Sequence, residues 1–144
     1  MRKLLRVIGV CGLLVNVPLS SGVELSLHTP KSEAQVSRLV NGVVKRNLAS
    51  RFDQDMWFSI AVPAHVERVK FESFGGTGDA DMYVKLGSKP TDDDWDCRPM
   101  MAGNSEQCVM TSTGGVYFVR LKSFVGFTAV NLKASFSTVA RTIL

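Results

Sequence analysis

The sequence predicts an all-β protein, an antiparallel β-sandwich stapled by one disulfide. Three observations carry that expectation. From Leu39 onward, short segments alternate apolar and polar residues with a period of two, and Gly, Pro, Asn and Asp punctuate them at the spacing of sandwich strands. Strands apolar on one face only cannot bury that face alone, so two sheets must pack together, about 10 Å apart. Cys97 and Cys108 lie close in the chain, downstream of a segment with the layout of an export signal.

That segment comes first. Arg2, Lys3 and Arg6 precede an apolar run from Val7 to Val17, too short to span a bilayer, and Ser20-Ser21-Gly22 offers small residues at the positions a signal peptidase inspects. Residues 1–22 are therefore expected to be a signal peptide, and the protein exported to the periplasm or beyond. Val10 ahead of Cys11 is too large for a lipoprotein site. Residues 23–38 show no sustained period and are expected to form a leader or linker, with a short helical turn near 32–36.

The domain itself is placed at residues 39–136. Met56, Phe58, Ile60 and Val62 share one face of a strand, with Trp57, Ser59 and Ala61 on the other, and Pro63 ends it. Val69 and Phe71 point inward against Arg68, Lys70 and Glu72. Met82, Val84 and Leu86 do so against Asp81, Tyr83 and Lys85. Two further strands are expected at 116–122 and 127–136, joined by 123–126, the second with Val130, Leu132, Ala134 and Phe136 inward. Residues 137–144 are expected to be a frayed tail.

Charge narrows the function classes. The signal takes three of the 17 basic residues while all 13 acidic residues lie downstream, which leaves 14 against 13 and a net charge of +1. The mature domain lacks the concentrated basic character that displaces counterions from nucleic acid. Cys11 leaves with the signal, so one bridge, Cys97–Cys108, is expected in an oxidising compartment, worth on the order of 3 kcal/mol.

Gly75-Gly76-Thr77-Gly78-Asp79-Ala80-Asp81-Met82-Tyr83-Val84 resembles the G-G-x-G-D-A-D-L-Y-V signature of the bacterial pre-peptidase C-terminal (PPC) family. Gly87-Ser88-Lys89-Pro90-Thr91, Trp95-Asp96-Cys97-Arg98-Pro99 and Gly103-Asn104-Ser105-Glu106-Gln107-Cys108 are similar to that family's G-S-x-P-T, Y-D-C-R-P and G-N-x-E-x-C elements, in the same order. Leu39, Asn41, Gly42 and Val43 upstream and Gly115, Tyr117, Phe118 and Val119 downstream also fit. The resemblance implies a jelly-roll-like sandwich of the kind appended to secreted bacterial proteases and often removed during maturation.

The residues carry their own expectations. Gly75, Gly76 and Gly78 are expected to let the chain reverse tightly between strands, Asp79 to accept amides of that turn, and Asp81 to brace the next loop through Arg98. Asp79, Asp81, Asp92, Asp93, Asp94 and Asp96 raise the possibility of calcium. The spacing is not that of an EF-hand, and Thr91 followed by acids suits the cap of a turn, so no cofactor or metal is expected.

Only His28 and His65 are present, neither in a motif, and neither H-E-x-x-H nor G-x-S-x-G occurs, so no enzyme is expected. Binding is the better class. Trp57, Tyr83, Trp95, Phe118 and Arg120 fall on outward faces or loops, where flat rings grip extended protein or sugar chains at low entropic cost. The expected function is a non-catalytic secreted module on an extracellular protein or polysaccharide polymer. The alternative is a maturation or secretion aid acting in trans on a secreted peptidase.

Overall fold

A computed structural model describes residues 35–138, and all its regular structure is β. The predicted signal peptide, most of the leader and the end of the tail lie outside the described residues. Seven strands follow in chain order: β1 (Val36–Arg38), β2 (Val44–Ser50), β3 (Met56–Val62), β4 (Arg68–Phe74), β5 (Thr77–Leu86), β6 (Glu106–Thr111) and β7 (Gly115–Phe136). Among the described residues no helix is long and apolar enough to cross a membrane.

β7 organises the molecule. Its first half is flanked by β3 (Met56↔Leu121 to Val62↔Gly115) and β5 (Ala80↔Ser123 to Leu86↔Tyr117). Its second half is flanked by β2 (Val44↔Lys133 to Ser50↔Phe127) and β4 (Val69↔Phe136 to Phe74↔Asn131). β1 pairs with β3 in parallel and β6 pairs with β4, giving two layers, β1-β3-β7-β5 and β2-β7-β4-β6, that share one folded strand. Inward faces of the layers meet, as in the contact between Phe71 of β4 and Tyr117 of β7, with ring centroids 5.7 Å apart. Phe58, Val69, Phe71, Met82, Val84, Val119, Leu121, Val130 and Leu132 form the shared core, as the period of two predicts.

Three expectations need correction. The segments 116–122 and 127–136 are one strand, whose residues 124–126 bulge where the sheet folds from one layer into the other. The glycines after β4 do not reverse the chain: Phe74 opposes Asn131 and Thr77 opposes Thr128, so β4 and β5 run on in the same direction along one edge of β7. Glycine is needed there because a Cβ at Gly76 would stand 2.2 Å from the carbonyl oxygen of Thr128, and one at Gly78 2.1 Å from that of Gly126. Finally, Val36–Arg38, placed in the linker, forms a strand, and this parallel β1–β3 pair makes the sheet mixed rather than wholly antiparallel.

Candidate functional site

The outward face of the β1-β3-β7-β5 layer collects most of the predicted binding residues. Trp57, Arg120 and Tyr83 are register partners on β3, β7 and β5 and form one row across the sheet. The next row holds Ser59, Phe118 and Lys85. Because side chains on one face sit close together across strands, Arg120 lies between two rings, 5.5 Å from Trp57 and 5.3 Å from Tyr83. The stack continues at both ends, with Lys89 Nζ 5.4 Å from Trp57 and Arg98 4.6 Å from Tyr83.

The 87–99 loop is strapped over this face by charge. Asp92 accepts from Arg120 Nη1 at 2.7 Å and Lys122 Nζ at 2.9 Å, and these hydrogen bonds, Lys122's first, hold its carboxyl below the usual range. Asp55 takes the other side of the Arg120 fork, at 2.6 Å from Nε and 2.5 Å from Nη2. Lys85 Nζ lies 2.6 Å from Asp94 and 3.8 Å from Asp96. Thr91 Oγ1 caps the turn, accepting the amides of Asp93 and Asp94. The loop's far end is fixed by the Cys97–Cys108 disulfide, which ties it to β6 in the opposite layer.

These contacts sort the predicted residues. Tyr83 faces the predicted side but is not open to solvent: Arg98 and Arg120 cover it to 1% exposure. Trp57 and Phe118 are half-buried, and the Arg120 side chain is 12% exposed with both ends of its fork engaged. Trp95 alone of the five is open, at 42% exposure. Asp81 lies 3.7 Å from Arg98, the predicted brace, while burial and then Asp79 push its carboxyl upward. Asp79 accepts the amide of Gly103 at 3.1 Å, from the loop before β6 rather than from its own turn. Among the described residues no group of three or more His, Cys, Asp or Glu is placed to hold a metal ion.

Two features were not singled out from the sequence. Glu106 begins β6 and is 4% exposed, with Oε2 accepting the amide of Met82 on β5; burial first, then Asp81 and Asp79, push its pKa up to about 7. The free edge of β5 is thereby closed at alternate amides: Met82 by Glu106, Val84 by the Cys97 carbonyl and Leu86 by Asp96 Oδ2. The second feature is an apolar tip at the fold of the sheet, where Phe52, Phe124 and Val125 are 72%, 58% and 67% exposed. The Asp53 amide donates to the Ser123 carbonyl there, joining the two loops that carry it.

Comparison with known proteins places this geometry in context. The family model described as "Bacterial pre-peptidase C-terminal domain" matches residues 56–123. An extracellular protease of Xanthomonas campestris pv. campestris is 41% identical over 129 residues, 89% of this chain and 22% of the protease. The solution structure of "vEP C-ter 100" is 35% identical with a TM-score of 0.58, covering 67% of this chain and 96% of that one. The crystal structure of the pre-peptidase C-terminal domain of a Bacillus anthracis collagenase shares the fold at 12% identity and a TM-score of 0.57, covering 71% of this chain and 96% of that one. The chain spans between 7% and 23% of the length of its protease relatives, 22% of the Xanthomonas campestris protease among them.

Proposed function

Because the chain belongs to the bacterial pre-peptidase C-terminal domain family, whose domains are separate from the catalytic domains of the proteases that carry them, we propose that it is an exported binding module for an extracellular protein or polysaccharide polymer. The observation that carries this reading is Trp95. It is 42% exposed on a loop pinned by the Lys85 ion pairs on either side of it in sequence and by the disulfide two residues on. A ring held in place before binding loses little entropy on contact, which favours adhesion to an extended chain. Arg120, Trp57 and Tyr83 form the platform under the loop, and Phe118 lies in the row beside it.

The test is retention on insoluble collagen, gelatin, chitin and cellulose. The wild-type domain is expected to stay on at least one of them, and Trp95→Ala to elute early with an unchanged melting temperature. Wild-type protein running free on all four, or Trp95→Ala binding as well as the parent, overturns the reading.

A second reading draws on the relatives, which are named as proteases. In it the domain aids the maturation or secretion of a peptidase in trans. It predicts co-purification with a secreted peptidase and no retention on polymers.

A further inference from the structure

Among the described residues the two layers leave four strand edges, and three of them are blunted. β1 is three residues long. β2 shifts register twice against β7, turns through Asn47 at φ +57° and carries Lys45 and Arg46. β5 has its outward amides taken by Cys97, Asp96 and Glu106. Short length, bulges, charge and cover are the usual devices that stop strand-to-strand association.

Among the described residues β6 uses none of them. It keeps an unbroken register with β4 from Arg68↔Thr111 to Ser73↔Glu106, and among the described residues no other strand pairs with it. It contains no proline, and its outward side chains, Gln107, Val109 and Thr111, are uncharged and exposed, Val109 at 52%. The one charged residue of the strand, Glu106, points inward and is buried.

The geometry points to β6 as a self-association edge that pairs antiparallel with β6 of a second copy of the chain. The argument is self-complementarity. A two-fold axis at Val109 sets Val109 against its own copy and Gln107 against Thr111, so β-branched and polar partners meet and no like charges face each other. The alternating backbone donors and acceptors that β4 leaves unpaired then find partners, and the β2-β7-β4-β6 layer continues across the dimer.

Sedimentation velocity of the mature exported protein over a concentration series tests this. Wild type is expected to shift from monomer to dimer, with amide exchange slowing in residues 106–111 as the dimer forms. Val109→Lys sets two cations together at the axis and is expected to weaken association by about tenfold or more. Val109 is half exposed, so the melting temperature of dilute variant should match the parent. A monomer throughout the series overturns the proposal, including the case in which the edge instead captures an extended strand from a different protein. A dimer that Val109→Lys leaves intact, or that forms without slowed exchange in β6, also overturns it.

Discussion

The carboxylate of Glu106 on β6 accepts the backbone amide of Met82 on β5, so an acid from one layer closes the strand edge of the other. The acid is 4% exposed and has Asp79 and Asp81 as charged neighbours, and its Oε1 has no hydrogen-bond partner among the described residues. This position favours the neutral form.

Stability should therefore fall as pH rises. The Glu106 pKa goes from 4.5 in the unfolded chain to about 7 in the fold, so its contribution is complete below 4.5 and is lost as pH climbs to about 7, with no further change above. The shift corresponds to about 3 kcal/mol. Asp81, also raised, acts in the same direction. Urea melts across this window should show the decline, and Glu106→Gln, which keeps an acceptor for the Met82 amide, should flatten most of it. Equal slopes in the two proteins would remove Glu106 as the cause.

The crossing at the glycines gives a second prediction. Gly76→Ala and Gly78→Ala each drive a methyl into backbone carbonyl on β7, at 2.2 Å and 2.1 Å, and each should cost about 4 kcal/mol or more in urea melts. Gly75→Ala should cost far less, since its Cβ meets only the Asn131 side-chain amide, at 3.1 Å, and the penalty is mainly that of positive φ. Ala129 lies at φ +56° without being glycine, so Ala129→Gly should stabilise the domain by about 1 kcal/mol. Similar costs at all three glycines would show that the contact with β7 is not what selects them.

These positions show what the sequence makes legible. Inward faces such as Phe58-Ile60-Val62 follow from a period of two, because burial on one face writes itself into every second residue. The path of the chain at Gly75-Gly76 does not, since glycine serves both a reversal and a close backbone approach, and only the distant partner Thr128 decides between them. β6 is hidden for a related reason: its inward set is Glu106, Cys108 and Met110, and an acid breaks the apolar alternation. Tyr83 lies on the outward face, but its cover comes from Arg98, fifteen positions along the chain, and loop cover leaves no periodic signal.

Arg120 supports a third prediction. Its fork reaches Asp55 on one side and Asp92 on the other while its plane lies between Trp57 and Tyr83, a combination a lysine ammonium cannot reproduce. Arg120→Lys should lower stability by about 1–2 kcal/mol despite conserving charge. Arg120→Met, which takes the guanidinium from Asp55 and leaves Asp92 held by Lys122 alone, should cost about 3 kcal/mol. Paired urea melts check both, and an Arg120→Lys variant as stable as wild type would show that charge alone suffices.

The disulfide separates stability from binding. Cys97 and Cys108 are 11 residues apart, and replacing both by Ser should cost on the order of 3 kcal/mol, seen as a lower melting temperature. The cross-link also holds the far end of the loop that presents Trp95, and without it the Val84–Cys97 backbone pairing is left to hold that end. The Cys97→Ser/Cys108→Ser variant, assayed well below its melting temperature, should therefore remain folded by circular dichroism yet adhere less to the polymer that retains wild type. Undiminished retention in the folded, bridge-free protein would mean that fixing the Trp95 loop is not what drives adhesion, and would make the exposed tip of Phe52, Phe124 and Val125 the next surface to substitute.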